Sequence, residues 1–494
     1  LALCCCGAMP AADEDAWLRP LGPPPKAKPK RISGGESFPP LPLPVTPLRR
    51  SERKREPSPP KLLGKVVWGA EASYTWESGD AITVSDWNQC PGDTQSLMQH
   101  AGQALGVTYG HETVTLASFH FDPEKMPLLL FSGSRRIQLA ETERLALRRY
   151  VQDGGMLVFD SVAGSPWFHQ TAVQEAAAMF PDQRLRAVPL DHPLLHMVYD
   201  TSTVSYKGAA EGDQPRFQAI YIGSRIGILL SPYGLGTGWD GRDVYGIEQA
   251  AWYSVDSARK LGINLVAYAI GYAEAGRIEA RPELHGSEAN SDADELVFAQ
   301  LRHDGAWNVH PGAAAALMMR ARRDLALDVG LRRVAVDAGH DDLSRYGLLY
   351  LTALDEFHFS DAELAAIRRF LDRHGTLIIN NGLGLPSSDQ ILRREIARLL
   401  PDAELAPVDP AHPVFNAVFP TEQVRYTPAV IATDGALTAP VLEAIAIDGD
   451  LRVLYAPISI EAAWLGCEYP MARAYAGPDG VRMGLNLLLY AATH

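Results

Sequence analysis

Short apolar runs alternate along this chain with amphipathic segments of helical period, and one such pattern occurs twice. Residues 127–164 read PLLLFSGSRRIQLAETERLALRRYVQDGGMLVFDSVAG, and residues 347–384, at an offset of 220 without a gap, read GLLYLTALDEFHFSDAELAAIRRFLDRHGTLIINNGLG. Each copy has an apolar run, a polar loop, an amphipathic segment closed by glycine, and a second apolar run. The pattern predicts a strand–helix–strand unit, and its recurrence predicts two similar domains.

The two predicted helices differ at their first residue. Ser360 and Glu363 form an S-x-x-E capping box, in which each side chain accepts a hydrogen bond from an amide of the first turn. The first copy keeps Glu143 but has Ala140 at the cap position. Because loss of a cap oxygen costs about 1 kcal/mol, we expect the first helix start to be the weaker one.

The similarity continues on both sides of this unit. The motif WN-x-x-PG begins at Trp87 and again at Trp307, and the dipeptide His-Pro occurs at residues 192–193 and 412–413. Most apolar runs are continuous rather than alternating, which is typical of parallel strands covered on both faces. The predicted fold class is therefore α/β, with two doubly wound, mainly parallel, flavodoxin-like domains in tandem.

The boundaries of the predicted regions follow from where this pattern starts and stops. The first domain is expected at residues 66–276 and the second, diverged domain at 295–494, joined by a linker at 277–294. Residues 1–12 are predicted to be part of a signal peptide, and 13–65 to be a Pro-rich, basic, disordered linker.

The first twelve residues, LALCCCGAMPAA, end in small residues after an apolar stretch. This arrangement is typical of a secretory signal, with cleavage expected near Ala11 or Ala12. Lipidation at Cys4 and an unprocessed cytosolic N-terminus are the alternatives. The interpretation predicts a periplasmic or other cell-envelope protein.

Charge is unevenly distributed between the linker and the body. Between Arg19 and Lys65 there are 12 Lys or Arg, 3 Asp or Glu and 13 Pro, whereas the whole chain carries a net charge of −14. An acidic body is a poor surface for nucleic acid, because phosphate binding needs clustered cations. We expect no nucleic-acid partner. The basic segment either tethers the protein to an anionic surface or to a partner that binds proline-rich sequences, or is a plain spacer. No apolar run reaches about 18 residues, so no transmembrane segment is predicted.

Ligands of doubly wound sheets bind at the carboxyl ends of the strands. The side chains expected there are those of Trp87, Asn88, Ser132, Arg135, Asp160, Trp239 and Asp240. The glycine-rich segment 234–241 fits neither a dinucleotide-binding nor a Walker pattern. We interpret it as a flexible rim loop from which its tryptophan and aspartate reach a ligand.

No catalytic residue and no cofactor is predicted. A nucleophilic hydrolase needs a Ser or Cys on a sharp strand-to-helix turn together with a positioned His, and neither copy has that sequence. Ser132 lacks the preceding glycine, and its counterpart is Thr352. Cys90 and Cys467 are isolated in the sequence and are expected to be structural.

No metal site is predicted either. Asp191, His192 and His196 offer three possible ligands within six residues. The second copy retains only His412, so a turn at the His-Pro dipeptide is favoured over a metal site.

Five linked motifs resemble the bacterial family catalogued as domain of unknown function 4159. They are WN-x-x-PG, LLLFSG…ETERLALRRYVQDGGMLVFD, MFPD…PLDHPLLHMVYD, YGLGTGWDG and LGINLVAYAI. The resemblance covers nearly all of residues 66–272, and the second half is similar to a diverged copy, with residues 458–464 in place of YGLGTGWDG. It implies a fold similar to class I glutamine amidotransferase-like and trehalose-utilisation-type domains without their nucleophilic cysteine, in an exported or membrane-tethered bacterial protein.

Three functions are compatible with the sequence. The favoured one is a non-catalytic envelope protein that binds a small ligand or a partner protein through strand-end loops of both domains. The second is a hydrolase or sugar-modifying enzyme that uses Asp160, Asp191, His192 and Asp240, which requires these side chains to converge on one pocket. The third is an assembly scaffold that acts through the Pro-rich arm.

Overall fold

The computed structural model describes residues 14–26, 59–280, 295–325 and 330–493. The predicted signal segment, most of the predicted linker, and the connection between the domains lie outside the described residues. Within this part of the chain there are two α/β domains in tandem, each built on a seven-stranded sheet. The predicted fold class is confirmed. Among the described residues, no helix has the length and apolar character needed to cross a membrane.

The first domain begins with a strand at residue 61. Its strands are β1 (Lys61–Val67), β2 (Glu71–Thr75), β3 (Ala81–Ser85), β4 (Gly110–Thr115), β5 (Leu128–Gly133), β6 (Met156–Ser161), β7 (Arg186–Ala187), β8 (Tyr206–Gly208), β9 (Gln218–Ile222), β10 (Arg225–Ser231) and β11 (Ala251–Tyr253). Its helices are α1 (Asp93–Leu105), α2 (Glu141–Gln152), α3 (Pro166–Met179), α4 (Leu235–Trp239), α5 (Val255–Gly271) and α6 (Ala273–Glu279).

The second domain repeats the order of the strands that form the seven-stranded sheet. Its strands are β12 (Glu295–Arg302), β13 (Gly330–Asp337), β14 (Leu348–Ala353), β15 (Thr376–Asn381), β16 (Ala406–Pro407), β17 (Glu443–Ile447) and β18 (Asp450–Ala456). Its helices are α7 (Ala313–Leu325), α8 (Asp361–Leu371), α9 (Pro386–Leu399), α10 (Pro428–Ile431) and α11 (Gly477–Thr493).

The two sheets have the same topology. The strand order is β4-β1-β5-β6-β10-β9-β7 in the first and β13-β12-β14-β15-β18-β17-β16 in the second. The first five strands of each sheet are parallel, and the last two are antiparallel. Numbered along the chain, the parallel strands follow the order 2-1-3-4-5, which is the flavodoxin-like arrangement.

Each sheet is covered on both faces, as its continuous apolar strands predict. In β5, Leu128 and Leu130 pack into one buried cluster, and Leu129 and Phe131 pack into another. The corresponding strand β14 divides its side chains between two clusters in the same way. Because successive side chains of a strand point to opposite faces, both faces of these strands lie in a hydrophobic core.

The structure moves the start of the first domain towards the N-terminus. Strand β1 begins at Lys61 rather than at the predicted residue 66, and Leu62 and Leu63 are buried within it. Only Lys61 separates these two leucines from Pro59 and Pro60, so the composition of the linker hid the start of the strand. Glu14, Trp17, Arg19 and Leu21, also assigned to the linker, contact the first domain.

The domains dock head to tail, with the amino edge of the first sheet against the carboxyl edge of the second. The guanidinium of Arg186, on β7, donates to the main-chain oxygens of Asp304 (2.7 Å) and Glu356 (3.0 Å) in the loops after β12 and β14. Gly223, in the turn before β10, lies against Pro311. The second domain therefore uses its strand-end loops to hold the first.

Further polar contacts cross this interface. Ser387 donates from its main-chain N and from Oγ to the Asp191 carboxylate, at 2.8 Å each. The Tyr272 hydroxyl donates to the carbonyl oxygen of Pro470 (2.9 Å), and the Tyr469 hydroxyl donates to Glu279 (2.7 Å). A cleft of about 650 Å³ remains beside these contacts, and its arginines and carboxylates are present in equal numbers.

The caps of the two repeated helices agree with the sequence. Ser360 Oγ accepts a hydrogen bond from the amide of Glu363, whereas Ala140 has only the reciprocal bond from its own amide to the Glu143 carboxylate (2.8 Å). The backbone is extended at both cap residues, with φ and ψ of −66° and 161° at Ser360 and −69° and 155° at Ala140. A serine fits at residue 140 without strain.

We expect Ala140→Ser to stabilise the protein and Ser360→Ala to destabilise it, each by about 1 kcal/mol, because the first adds a cap bond and the second removes one. The free energy of unfolding from urea titration measures both effects. A loss of stability in Ala140→Ser would contradict the backbone geometry described at that residue.

The interdomain ion pairs differ in exposure and should differ in energetic weight. Arg186 pairs with Asp355 at 2.6 Å, with side chains 18% and 10% exposed, and Arg184 pairs with Asp304 at 3.0 Å, with side chains 65% and 45% exposed. Arg186→Ala should cost roughly 2–4 kcal/mol, because a largely buried carboxylate loses its partner. Arg184→Ala, the matched control, should cost about 1 kcal/mol or less. Equal decreases in the free energy of unfolding, measured by urea titration, would show that burial does not determine how much these ion pairs stabilise the protein.

Candidate functional site

The topology identifies one crevice in each domain. In a 2-1-3-4-5 sheet, the direction in which successive strands are added across the sheet reverses between the first and third parallel strands. Ligands bind outside the carboxyl ends of these strands, at this topological switch point. In the first domain these strands are β1 and β5, and in the second they are β12 and β14. We call the carboxyl-end side of each sheet its carboxyl edge.

Residues 14–22 lie across this crevice in the first domain. The main-chain oxygen of Trp17 accepts two hydrogen bonds at 2.7 Å, one from Nε2 of Gln89, in the loop between β3 and α1, and one from Oγ of Ser134, directly after β5. The side chains of Gln89 and Ser134 are 5% and 0% exposed. One carbonyl group of the covering segment therefore joins the two loops of the switch point.

Other polar groups hold the two ends of the segment. The Glu14 carboxylate accepts from the main-chain N (3.0 Å) and Nε (2.9 Å) of Arg136. Arg19 donates to the carbonyl oxygens of Tyr245 (3.0 Å) and Gly246 (3.2 Å), and the amide of Tyr245 donates to the Leu21 oxygen (3.0 Å).

Apolar side chains anchor the segment between these polar contacts. Trp17 is 6% exposed and Leu21 is 1% exposed. They pack in a cluster with Cys90, Val162, Ala163, Ala250 and Trp252. Burial raises the pKa of the Cys90 thiol well above its ordinary value, so the thiol stays protonated and contributes packing rather than reactivity.

A buried cation lies in the strand beside this segment. Lys65, near the end of β1, is 3% exposed and donates from Nζ to Asn88 Oδ1 (3.0 Å), to the Cys90 main-chain oxygen (2.8 Å) and to the Asp93 carboxylate (2.7 Å). Burial raises the pKa of the Asp93 carboxyl, and Lys65 opposes that effect. Every donor of the ammonium group is used, so the cation fixes the loop between β3 and α1 and the first turn of α1.

Asp160, at the end of β6, is fully buried. Its two carboxylate oxygens accept hydrogen bonds from the amides of Leu235 (2.6 Å) and Gly236 (2.9 Å), and Ser132 Oγ lies 3.5 Å from Oδ2. Burial raises the pKa of Asp160 to about 7, although these amide bonds lower it. The carboxyl group titrates near neutral pH, and both oxygens hold the start of α4.

The expectation that residues 234–241 form a flexible rim loop is wrong. Residues 235–239 form the short helix α4, all of them buried. A Cβ at Gly236 would lie 2.7 Å from Asp160 Oδ2, and one at Gly238 would lie 2.7 Å from the Tyr253 oxygen. The glycines are required by close packing and not by mobility.

The remaining predicted residues occupy different positions. Trp239 is 5% exposed and donates from Nε1 to the Ala258 oxygen (2.7 Å), so the structure places it in the core instead of at the rim. The Asp240 carboxylate pairs with Arg242 and lies against Gly92. Arg135 lies 3.9 Å from the Asp86 carboxylate. Trp87 is half-buried, with its ring centroid 6.0 Å from Lys65 Nζ.

The possible metal ligands of the VPLDHP motif each have another partner. Asp191 binds Ser387 across the interface, and the His192 Nδ1 accepts from the amide of Leu194 (3.1 Å). His196 Nε2 lies 2.7 Å from the Leu190 oxygen. Burial, together with His196, lowers the pKa of His192 to about 3, so this ring is neutral and packs between tyrosines.

These residues are remote from Asp160. The ring of His192 packs against Tyr268, whose hydroxyl accepts from the amide of Ile226. Ile226 lies at the start of β10, whereas Ser231, at its end, pairs with Asp160. Five residues of extended chain span roughly 16 Å, so the two groups do not share one pocket.

The first domain covers the crevice of the second domain. Residues 89, 90 and 134 correspond, at the offset of 220, to Val309, His310 and Leu354. Val309 and Leu354 belong to a buried cluster shared with the first domain. Nδ1 of His310 lies 3.9 Å from Oε1 of Glu279, on α6 of the first domain. Burial would lower the pKa of His310, but the carboxylates of Glu279 and of Glu461 raise it above its ordinary value.

The residues that hold the covering segment were missed by sequence reasoning. Gln89, Ser134 and Arg136 flank predicted site residues but carry no motif of their own. Lys65 did carry a signal, because a lysine inside the apolar run of a parallel strand must be buried and paired. Asp93, the first residue of α1, is its partner.

Comparisons with known proteins identify a family and little else. Residues 78–270 and 297–492 each match the family described as Domain of unknown function (DUF4159). Among curated proteins, none matches the chain significantly. A crystal structure described as a "putative phosphosugar isomerase" from Silicibacter pomeroyi DSS-3 is 9% identical, with a TM-score of 0.15, over 65% of this chain and 75% of that one. A likeness that weak carries no argument about function.

Asp160 should make stability depend on pH. Its pKa rises from 3.8 to about 7 on folding, so the folded state binds the proton more tightly and stability falls as the pH rises between those values. We expect Asp160→Asn, the residue found at the equivalent Asn380, to remove about 3 kcal/mol of the difference in unfolding free energy between about pH 4 and pH 7. The converse variant Asn380→Asp should add such a dependence. Identical pH slopes for the wild type and Asp160→Asn in urea unfolding would contradict the assignment.

Proposed function

The chain belongs to the DUF4159 family, with two copies of the domain, and from that premise we propose that it is a non-catalytic binding protein of the bacterial cell envelope. In this proposal the carboxyl edge of the first domain holds a partner polypeptide. The carboxyl edge of the second domain is used within the molecule, where it holds the first domain. From the sequence alone, binding is expected through strand-end loops of both domains, whereas this proposal assigns the partner to the carboxyl edge of the first domain alone.

One observation carries the proposal: polypeptide covers the switch-point crevice in both domains. Gln89 and Ser134 bind the main chain of residues 14–22 in the first domain, and the equivalent Val309 and Leu354 belong to a buried cluster that the second domain shares with the first. The same positions thus bind protein with polar side chains in one copy and with apolar side chains in the other.

The contacts favour this role over the alternative of a hydrolase or sugar-modifying enzyme. That enzyme would use Asp160, Asp191, His192 and Asp240 together. Asp191 is engaged at the interdomain interface, and the imidazole of His192 packs among tyrosines near the amino edge of the sheet. General acid–base catalysis needs its groups within hydrogen-bonding reach of one substrate, so these four side chains do not form one catalytic set.

The envelope location rests on the signal-like N-terminal sequence, whose residues lie outside those the structure describes. The test of location is fractionation of the producing bacterium, with the protein expected among periplasmic or membrane-associated fractions. Recovery with the cytosolic fraction alone would overturn this part of the proposal.

Site-specific photo-crosslinking in the producing cells tests the binding role. We expect a photoreactive amino acid at Arg135, beside the crevice, to form an adduct with a separate polypeptide that mass spectrometry identifies and that the purified pair reproduces. The control is the same amino acid at Lys125, which is 84% exposed and precedes β5 at the opposite edge. Adducts that form equally at both positions, or only within the chain at Arg135, would overturn the proposal.

A thermal-shift screen against sugars, nucleotides and metals separates a polypeptide partner from a small ligand. A ligand at 100 times its Kd stabilises the folded state by about 2.7 kcal/mol. We expect no such shift, because residues 14–22 fill the crevice. A saturable shift that Ser134→Ala abolishes would assign the crevice to a small ligand instead.

A further inference from the structure

The crevice of the first domain is a groove with distinct subsites, which we call the edge groove and define by Gln89, Ser134, Arg136, Tyr245 and Gly246. We propose that it recognises a peptide with the pattern Glu-x-x-Trp-x-x-x-Leu, and that residues 14–21, of which Glu14–Trp17 form a 3-10 helix, are its resident occupant. The inference rests on the proposed function, because it specifies the chemistry of the partner polypeptide. A partner segment with this pattern displaces the resident one.

The first argument is that the groove binds main chain. The carbonyl oxygens of Trp17 and Leu21 both accept hydrogen bonds from it, the first from Gln89 and Ser134 and the second from the Tyr245 amide. Bonds to main chain give affinity that does not depend on the side chains of the segment, whereas pockets for side chains give specificity. The same contacts are available to a segment of another chain once the resident segment leaves the groove.

The second argument comes from the polar side chains that the groove buries. Gln89 and Ser134 are 5% and 0% exposed, and each donates to the Trp17 oxygen. A buried polar group without a partner is costly, so these two side chains require a carbonyl group at this place. The second domain has Val309 and Leu354 at these positions, where it meets an apolar surface.

The third argument concerns the acidic end of the pattern. The Glu14 carboxylate receives both the main-chain N and Nε of Arg136. The guanidinium lies 4.4 Å from the ring centroid of Trp167, which fixes its orientation. This subsite selects a carboxylate three residues before the tryptophan.

The fourth argument concerns the space made for the segment. Gly246 has φ of +69°, and a Cβ there would overlap the guanidinium of Arg19. Trp17 and Leu21 fill an apolar pocket that includes Val162 and Trp252. The floor of the groove is thus shaped for an aromatic side chain followed, four residues later, by an aliphatic one.

The resident segment belongs to the same chain as the groove, so a partner peptide competes with a segment that cannot diffuse away. A tethered segment has an effective concentration on the order of millimolar, so it masks the groove from peptides in solution. Weakening the resident segment should unmask the groove without changing it. This predicts that substitutions in residues 14–21 increase binding in trans.

The test is fluorescence anisotropy with a dye-labelled peptide of residues 14–26 and the full chain. Trp17→Ala in the full chain should bind this peptide at least tenfold more tightly than the wild type does. Glu14→Arg should give a similar gain for a different reason. It replaces the partner of Arg136 in the resident segment by a like charge, and it leaves Trp17 in place. Equal affinities for the wild type and both variants would overturn the proposal.

A charge exchange tests the acidic subsite. In the Trp17→Ala chain, Arg136→Glu should weaken binding of the labelled peptide at least tenfold, and the same peptide with Glu14→Arg should recover most of the loss. Lys125→Glu makes the same change of charge at the opposite edge of the sheet and is the control. Weakening by the control equal to that by Arg136→Glu, or no recovery, would overturn the assigned pattern.

The two proposals fail in distinguishable ways. If the probe at Arg135 captures a separate polypeptide but the peptide of residues 14–26 does not bind in trans, partner binding stands and the peptide pattern is wrong. If the peptide binds the unmasked groove but no separate polypeptide is captured, the groove serves only the segment of its own chain and the proposed function is wrong.

Discussion

The structure depends on how the polar groups at the carboxyl edge of each parallel sheet are satisfied. Burying a charge is costly unless it is paired and fully hydrogen-bonded. In the first domain, Lys65 meets this condition with Asn88, Asp93 and a main-chain oxygen. This arrangement fixes the loop between β3 and α1 and the start of α1, and thereby the position of Gln89 at the switch point.

The second domain has a partly buried cation at the same edge, held by other residues. Gln300 stands on β12 where the first domain has Lys65, and the cation is Arg333, on the neighbouring strand β13. Arg333 donates to Gln300 Oε1 (2.9 Å) and Asn308 Oδ1 (2.7 Å), so the asparagine of the WN motif binds a cation in both copies. Asn380, in place of Asp160, accepts from the amide of Ile460 (3.0 Å) and holds the following turn. The two edges share a geometry while their charges differ.

The sequence predicted the framework well because the framework is encoded locally. Strand–helix–strand order, the cap at Ser360 and two-sided burial of the sheet all follow from spacing within about 40 residues. The prediction of a flexible loop at residues 234–241 was wrong, because composition does not reveal that the glycines of this segment face Asp160 and Tyr253. Trp17 was assigned to a linker because composition was averaged over residues 13–65, whereas its burial depends on partners more than 70 residues away. Contacts of that range are set by topology, which a local pattern does not contain.

Polypeptide covers the carboxyl edge of the sheet in both domains. The switch point leaves a crevice in any sheet of this order, and in this protein buried side chains line it in both copies. Where the cover is the first domain, it is large and partly apolar, and Val309 and Leu354 suit it. Where the cover is a short segment, only its main chain is reliably in reach, and Gln89 and Ser134 supply donors for it. A large interface fixes the two domains as one unit, whereas a cover held by a few hydrogen bonds and two apolar side chains can be exchanged, and exchange is what a binding site requires.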